Sequence, residues 1–169
     1  NCPSLIKGGD QEEKRRAGTE NVPAIAGFAK AVETITAEEK AHRQAKYLQF
    51  KRTIFDKLTE NGVEFRVNGR ITEDNLNHVF NIWLKGISTY VMQTNLDLAG
   101  IAVSGGSACT AGSIEPSHVL VAMFGKDSPR IGESIRISFG RYNTSEDVDK
   151  LVDAITKIVN RVKNKGVKM

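Results

Sequence analysis

The sequence predicts an α/β domain in which a short sheet is covered by helices. Some long stretches carry apolar residues at spacings of three and four, as amphipathic helices do, whereas shorter stretches are rich in β-branched and aromatic residues, as strands are. These stretches follow one another in the order helix, strand, strand, helix, strand, helix, strand, helix. With 169 residues, the chain is long enough for one domain with a sizeable core.

The first predicted helix is long and runs from Pro23 to about Asn61. Proline suits a first helical turn, and the Asn61-Gly62 pair supplies a stop. The apolar residues of its first part are Ile25, Phe28, Ala29, Val32 and Ile35. Those of its second part are Tyr47, Leu48, Phe50, Ile54, Phe55 and Leu58. Such a helix is typical of a structural support.

The next predicted elements are short strands and helices. Residues 63–67 and 79–84 are predicted strands, with a polar stretch at 68–77 between them. Ser88 offers an N-cap for a helix that ends at Leu98 and is stopped by Gly100. Residues 101–104 form a predicted strand, 116–124 a short helix and 135–139 an alternating strand.

The last predicted helix follows Thr144. Thr144 and Asp147 resemble a capping box, although that motif prefers Glu or Gln at the second position. The apolar face of this helix comprises Val148, Leu151, Val152, Ile155, Ile158, Val159 and Val162.

Composition excludes several classes of protein. The net charge of the chain is only +4, and its basic residues are dispersed apart from a short cluster at 14–16 and a C-terminal tail. Positive charge in that tail suits the end of a helix. We therefore expect no direct nucleic-acid binding. Two cysteines make no disulfide framework, and no zinc-ligand spacing is present. Without an apolar run of about 20 residues or a signal pattern, we expect a cytoplasmic protein that does not span a membrane.

A cysteine stands in a run of small residues. The stretch GIAVSGGSACTAGSIEPSHV, residues 100–119, surrounds Cys109 with glycine, serine, alanine and threonine. Such a segment is typical of a turned loop, and loops often carry function. Composition leaves two interpretations open, a presented reactive thiol and a buried cysteine that packs as a small hydrophobe.

Three blocks of sequence resemble one family. They are GIAVSGGSACTAGSIEPSHVL around Cys109, GGDQEEKRRAGTENVPAIAGFAKA from Gly8 to Ala31, and SIRISFGRYNTSEDVDKLVDAI from Ser134 to Ile155. Together they resemble cysteine desulfurases of the NifS/IscS type, which are pyridoxal-phosphate enzymes of the class V aminotransferase family. The resemblance implies the C-terminal small domain of a fold-type I enzyme. Residues 1–22 would cross over from a large domain, and residues 23–169 would form the small domain.

The resemblance implies an activity for the intact enzyme. L-Cysteine is converted to L-alanine, and its sulfur becomes a persulfide on Cys109. That sulfur would go to an acceptor such as an iron-sulfur scaffold protein, for iron-sulfur clusters, or toward thiolated RNA. In the family the cofactor lysine follows a histidine, but here arginine or valine follows His42, His78 and His118. The Schiff-base lysine is therefore expected upstream, and we expect this chain alone to be inactive.

The resemblance also assigns ligand-binding residues. Arg136 matches the position that binds the substrate carboxylate, with Arg141 as the competing candidate and a surface ion pair as the alternative role. Thr19 matches a residue that reaches the cofactor phosphate of the neighbouring subunit, which implies a homodimer; its alternative role is to cap the following helix. Arg16 and Asn21 would support that region. His118 is a candidate base, but packing or surface contact is the favoured role.

The chain departs from the family pattern at several positions. Asp10 stands where glycine is common, Gly105 and Gly106 where serine is common, and Trp83-Leu84 where small and aromatic residues are more usual.

Two other functions compete with the desulfurase. One is a noncatalytic scaffold or docking module that packs its cysteine, and the other is a stand-alone redox thiol. Persulfide rather than sulfenic acid on Cys109 would separate the desulfurase from the redox thiol.

Overall fold

The computed structural model of the protein describes residues 3–106 and 116–166, with side chains described as far as residue 164. The chain divides into two compact units, Asn1–Ala41 and His42–Met169. Mixed helices and a small antiparallel sheet confirm the predicted α/β fold class.

The first unit contains two short elements and the start of a long helix. The turn α1 (Gln11–Lys14) has left-handed backbone angles at Glu12 and Glu13, whose φ values are 53° and 54°. Helix α2 (Val22–Glu33) carries an apolar side that is solvent-exposed within this unit, with Phe28 72% exposed. Among the described residues of the unit, none is buried.

The predicted helix from Pro23 to Asn61 is in fact two helices, so that prediction was wrong. Helix α2 ends at Glu33, and helix α3 runs from Ala37 to Glu60. Thr34 Oγ1 donates to the Ala31 carbonyl at 2.7 Å, and Thr36 Oγ1 accepts from the Glu39 amide at 3.1 Å. The two hydroxyls therefore satisfy backbone groups that a continuous helix would pair, and a run of β-branched residues favours the interruption.

Both predicted glycine stops are confirmed. After α3, the Val63 amide bonds the Leu58 carbonyl and the Gly62 amide bonds the Thr59 carbonyl, both at 3.0 Å. This is a Schellman motif, and Gly62 adopts the φ of 67° that it requires. Helix α4 (Thr89–Leu98) ends in the same way at Gly100.

The second unit is built on a three-stranded antiparallel sheet in the order β1-β2-β3. Its strands are β1 (Phe65–Val67), β2 (Val79–Leu84) and β3 (Ser134–Ser138). The predicted strand at 101–104 is reduced to one bridge between Ser104 and Arg136. The Ile101 amide is used by the end of α4 and the Val103 carbonyl accepts from Gln93, so these groups do not pair with β3.

The two faces of the sheet differ in character. Along β2, Phe80 and Ile82 are buried, whereas Asn81 between them is partly exposed. The register pairs Phe80 with Ile137 and Asn81 with Arg136. Because side chains opposite each other across two strands share a face, one face is apolar and the other carries Asn81 and Arg136.

Helices complete the second unit. Helices α3, α4 and α6 (Ser145–Gly166) cover the apolar face, and the remaining elements are α5 (His118–Phe124) and a 3-10 turn (Pro129–Ile131). The predicted apolar face of α6 is confirmed from Val148 to Val159, and that of α3 is confirmed except at Phe55, which is 41% exposed. Phe139 joins β3 to α3 by packing against the rings of Tyr47 and Phe50.

A buried amine interrupts this core. Lys51 on α3 is 3% exposed, and its Nζ donates to Asn77 Oδ1 at 2.9 Å; Asn77 is itself 1% exposed. Burial lowers the pKa of Lys51, because the charged form loses hydration. Periodicity did not predict this residue, since lysine is ordinarily placed on a solvated face.

The capping box at the start of α6 is confirmed. The Thr144 amide donates to Asp147 Oδ2 at 3.0 Å, and the Asp147 amide donates to Thr144 Oγ1 at 3.4 Å. The hydrogen bond from the Thr144 backbone, helped by the Asn143 side chain, lowers the pKa of Asp147. Aspartate therefore fills the role usually taken by glutamate.

Gly105 packs closely on α4. A Cβ added there would lie 2.4 Å from Thr89 Cγ2 and 2.8 Å from Gln93 Oε1. A Cβ added at Gly106 would meet only ordinary contact, 3.8 Å from Ser117 Cβ. The departure from serine at Gly105 thus has a steric reason in this chain.

We expect Gly105→Ala to destabilise the protein by about 1–3 kcal/mol, because the added methyl group displaces neighbours in a packed region. Gly106→Ala is the matched control and should change stability by less than about 1 kcal/mol. Urea unfolding followed by circular dichroism measures both. Equal effects of the two substitutions would contradict the steric argument.

We expect Asp147→Asn to remove part of the acid sensitivity of folding. Since the folded-state pKa of Asp147 is lowered, its contribution is present above the ordinary aspartate pKa and is lost as pH falls through the lowered folded value. The stability difference between wild type and variant should be largest near neutrality and shrink in acid. Glu146→Gln, one residue earlier, is the charge-matched control. Denaturant unfolding across pH tests this, and a constant difference would refute it.

Candidate functional site

A pocket of about 360 Å³ lies on the polar face of the sheet. Val79, Asn81 and Arg136 form its floor on β2 and β3, and α5 forms one wall with residues that include His118. Gly106 and Ser117 also line it. Sheet register and the placement of α5 thus bring together residues far apart in the sequence.

Arg136 supplies the positive charge of this pocket. Its backbone bonds Ser104 in both directions, with the Ser104 amide 3.0 Å from the Arg136 carbonyl. Its Nε is buried and has no hydrogen-bond partner among the described residues. The described residues that line the pocket include no aspartate or glutamate, so among them Arg136 has no ion-pair partner. A guanidinium in this setting is suited to an anionic ligand.

Arg141, the competing candidate, lies elsewhere. Its guanidinium stacks on the neighbouring Tyr142 ring, with Cζ 5.1 Å from the centroid. Its carbonyl accepts from Lys46 Nζ at 3.2 Å. Arg141 is exposed and is not among the residues that line the pocket. Of the two arginines, the structure places Arg136 in the pocket.

Beside the pocket lies a polar network that sequence reasoning missed. Arg130 Nη1 donates to Asn68 Oδ1 at 2.7 Å. Asn68 Nδ2 donates in turn to Asn81 Oδ1 at 2.7 Å and to Ser134 Oγ at 2.9 Å. The partners lie 13 to 66 residues apart in sequence, so local pattern carries no sign of them.

Arg130 is held between two aromatic rings. Its Cζ lies 4.9 Å from the Trp83 centroid and 4.4 Å from the Phe124 centroid. Trp83 Nε1 also donates to Glu133 Oε2 at 2.7 Å, which fixes the indole. We call this arrangement the Arg130 stack (Trp83, Phe124 and Arg130). It ties α5 to the sheet, and the unusual tryptophan at position 83 was the one sequence signal of it.

His118 is exposed at the first turn of α5 and lines the pocket. Ser117 caps this helix, since its Oγ accepts from the Leu120 amide at 3.4 Å. His118 and Arg136 are therefore brought to the same pocket. The expectation of surface contact agrees with the exposure of His118, and a role as base stays untested.

Thr19 lies in the first unit, in a turn organised by Arg16. Arg16 Nη1 donates to the carbonyls of Gly18 at 2.6 Å and Thr19 at 3.5 Å. Helix α2 is capped by Asn21, whose Oδ1 accepts from the Ala24 amide at 3.1 Å. The alternative role of Thr19 as the helix cap is therefore wrong, because Asn21 performs it. Thr19 itself is exposed.

Cys109 and Cys2 lie outside the described residues. In the sequence, Cys109 follows Gly106 by three positions and precedes Ser117 by eight. The geometry of its thiol is therefore not part of the site described here.

The pocket does not itself fit a covalently held pyridoxal phosphate. No lysine is found among the described residues that line it. The buried Lys51 donates a hydrogen bond to Asn77 and does not line the pocket.

Residues 3–106 and 116–166 also contain no group of three or more His, Cys, Asp or Glu side chains placed to hold a metal ion. No helix in those ranges is long and apolar enough to cross a membrane.

Comparison with known proteins finds relatives that are named as cysteine desulfurases. The chain is 50% identical over 158 residues to the putative cysteine desulfurase IscS 1 of Bacillus subtilis, covering 94% of this chain and 41% of the relative. It is 42% identical over 164 residues to the cysteine desulfurase IscS of Methanosarcina thermophila, covering 95% and 39%. The chain thus spans about two fifths of the length of these curated relatives.

Solved structures and a family model agree with these relatives. A NifS-like protein matches with a TM-score of 0.69 and 32% identity, covering 93% of this chain and 39% of its own. A NifS-like protein from Rickettsia africae matches with a TM-score of 0.65 and 29% identity, covering 94% and 40%. The aminotransferase class-V model matches residues 2–151. The chain therefore belongs to the class-V aminotransferase family, as the resemblance of its three sequence blocks implied.

Proposed function

We propose that this chain is the C-terminal part of a cysteine desulfurase. Residues 1–22 cross from a large domain, and residues 23–169 form the small domain. The observation that carries the proposal is the pocket with Arg136, whose buried Nε has no partner among the described residues. The relatives named as cysteine desulfurases, at 50% and 42% identity, supply the reaction class.

Arg136 binds the carboxylate of L-cysteine in this proposal. A guanidinium offers two parallel N–H donors to a carboxylate, which orients the substrate as well as attracting it. No acidic side chain competes for it among the described residues of the pocket lining. Binding through the carboxylate leaves the substrate sulfur free to react.

Cys109 accepts that sulfur. Its thiolate attacks the sulfur of the substrate, so that a sulfur–sulfur bond forms and the carbon–sulfur bond breaks. The substrate carbon keeps the electron pair of the broken bond and takes a proton, which gives L-alanine and leaves a persulfide on Cys109. The attacking group must be a thiolate, and a nearby positive charge favours that form.

Pyridoxal phosphate is anchored by a lysine outside this chain. When bound, the cofactor supplies an electron sink that weakens the carbon–sulfur bond. We propose that Thr19 contributes a hydroxyl to the cofactor phosphate of the neighbouring subunit, so the working enzyme is a homodimer. Arg16 supports this role by ordering the carbonyls of Gly18 and Thr19. The isolated chain is inactive on this account.

The persulfide sulfur passes to an acceptor in the cytoplasm. An iron-sulfur scaffold protein, or a protein that leads to thiolated RNA, fits the reaction class. The chain itself makes no direct contact with nucleic acid in this proposal, since its net charge is only +4 and its basic residues are dispersed.

We expect Arg136→Lys to raise the KM for L-cysteine about tenfold in the complete enzyme, because lysine cannot make the two-pronged contact. Arg141→Lys is the matched control and should leave KM unchanged. Steady-state assays of alanine production measure both. An unchanged KM in Arg136→Lys would remove Arg136 from substrate binding.

We expect Cys109 to gain one sulfur atom when the chain is mixed with a separately produced upstream domain, pyridoxal phosphate and L-cysteine. Intact-protein and peptide mass spectrometry detects the gain. Cys109→Ser and the chain alone are the controls, and neither should gain sulfur. If assembly and cofactor binding are confirmed and Cys109 still gains nothing, the desulfurase proposal fails and the scaffold interpretation replaces it.

A further inference from the structure

We propose that Asn81 is a second carboxylate-binding residue of this pocket, acting beside Arg136 and selecting amino acids over amines that lack the carboxylate. The inference rests on the proposed function, because it concerns the substrate of the same site. Asn81 belongs to none of the three sequence blocks that carry the family resemblance.

The strand register places the two residues side by side. Asn81 on β2 is directly opposite Arg136 on β3. The backbone N–H and C=O of Arg136 both bond Ser104, on the other edge of β3. Asn81 likewise turns its carbonyl away from β3, to the Asn68 amide at 2.9 Å. The two residues therefore form a non-hydrogen-bonded antiparallel pair, in which Cα atoms are about 4.5 Å apart and side chains are closest.

Hydrogen-bond chemistry fixes which end of the Asn81 amide faces away from the network. Arginine can only donate, so the Asn68 atom that meets Arg130 Nη1 at 2.7 Å must be its oxygen. The Asn68 nitrogen is then the atom that faces Asn81, at 2.7 Å. It follows that Asn81 meets Asn68 with its oxygen and keeps its NH₂ group for another partner.

That NH₂ group is a donor with no hydrogen-bond partner in the described part of the chain. Among the described residues, no acceptor binds Asn81 Nδ2, and Asn81 lines the pocket with Arg136. The pocket floor thus presents an amide donor beside a guanidinium, with no acidic side chain among its described lining residues. Two adjacent donors, one of them charged, match the two oxygens of a carboxylate.

The orientation of the Asn81 amide is fixed by its hydrogen bond to Asn68, whose own orientation is fixed by other hydrogen bonds. Both N–H donors of Asn68 are used, by Asn81 Oδ1 and Ser134 Oγ. Arg130, which sets the orientation of Asn68, is itself held in the Arg130 stack. Reversal of the Asn81 amide would place two NH₂ groups against each other. The donor is therefore pre-organised before substrate arrives.

The test compares Asn81→Ala and Asn81→Asp with wild type in the complete, cofactor-loaded enzyme. We expect KM for L-cysteine to rise about tenfold in Asn81→Ala, as expected when one hydrogen bond to a charged group is lost. Asn81→Asp should raise it further, because its carboxylate repels the substrate and pairs with Arg136. Calorimetric titration with the product L-alanine should show the same loss of affinity, and kcat should change less than KM.

Two controls keep a structural effect separate from substrate recognition. Inhibition by cysteamine, which lacks the carboxylate, should stay within about twofold of wild type in both variants, whereas a general disruption of the pocket would weaken it equally. Asn95→Ala, an asparagine outside the pocket, should behave as wild type. If Asn81→Ala does not fold, the isosteric Asn81→Asp gives the same test.

The outcomes distinguish this inference from the function on which it rests. If wild type does not produce alanine, or if Arg136→Lys leaves KM unchanged, the proposed function fails. If both of those results are as expected but the Asn81 variants bind L-alanine as tightly as wild type, only the role of Asn81 is overturned.

Discussion

The pairing of β2 with β3 determines which side chains face the pocket and which face the core. Because strand side chains alternate with a period of two, a shift of one residue would bury Asn81 and Arg136 and expose Phe80 and Ile137. The apolar residues of β2 and β3 pack into the cluster that includes α3, α4 and α6. Burial of these residues therefore fixes the register, and the register in turn places the polar groups of the candidate site.

The opposite face of the same sheet depends on the Arg130 stack. Its two rings belong to β2 and α5, so one guanidinium connects the floor of the pocket to its wall. The same guanidinium orients Asn68 and, through it, Asn81. A guanidinium close to two aromatic rings is attracted by the negative faces of both. The contacts that pack α5 against the sheet and those that orient Asn81 in the pocket therefore form one connected set.

Sequence reasoning succeeded where the cause is local. Gly62 and Gly100 stop helices through their own backbone angle, the Thr144–Asp147 box spans four residues, and the apolar face of α6 follows from its period. It failed at Thr34–Thr36, where hydroxyls replace helical hydrogen bonds, and at 101–104, where neighbours take the backbone groups needed for a strand. In both places a hydrogen bond overrode an apolar pattern.

The site could be predicted only in part, for the same reason. Arg136 was predicted because a motif marks it, and it lines the pocket, whereas Asn68, Asn81 and Arg130 carry no local signature and meet only after folding. Lys51 was missed because an amine is buried at a position where helical period predicts an apolar side chain. Such partner choices depend on distant residues, and a single sequence gives no direct information on which distant residues will meet.

The Arg130 stack also constrains how this chain can diverge from its relatives. With a smaller side chain at position 83, the guanidinium would lose one of its two ring contacts, and the hydrogen bond of Trp83 to Glu133 would disappear with it. A relative with a small residue there must hold its pocket wall by other means. Trp83, Phe124 and Arg130 are therefore expected to occur together in relatives. A relative that lacks one of them is expected to have replaced all three.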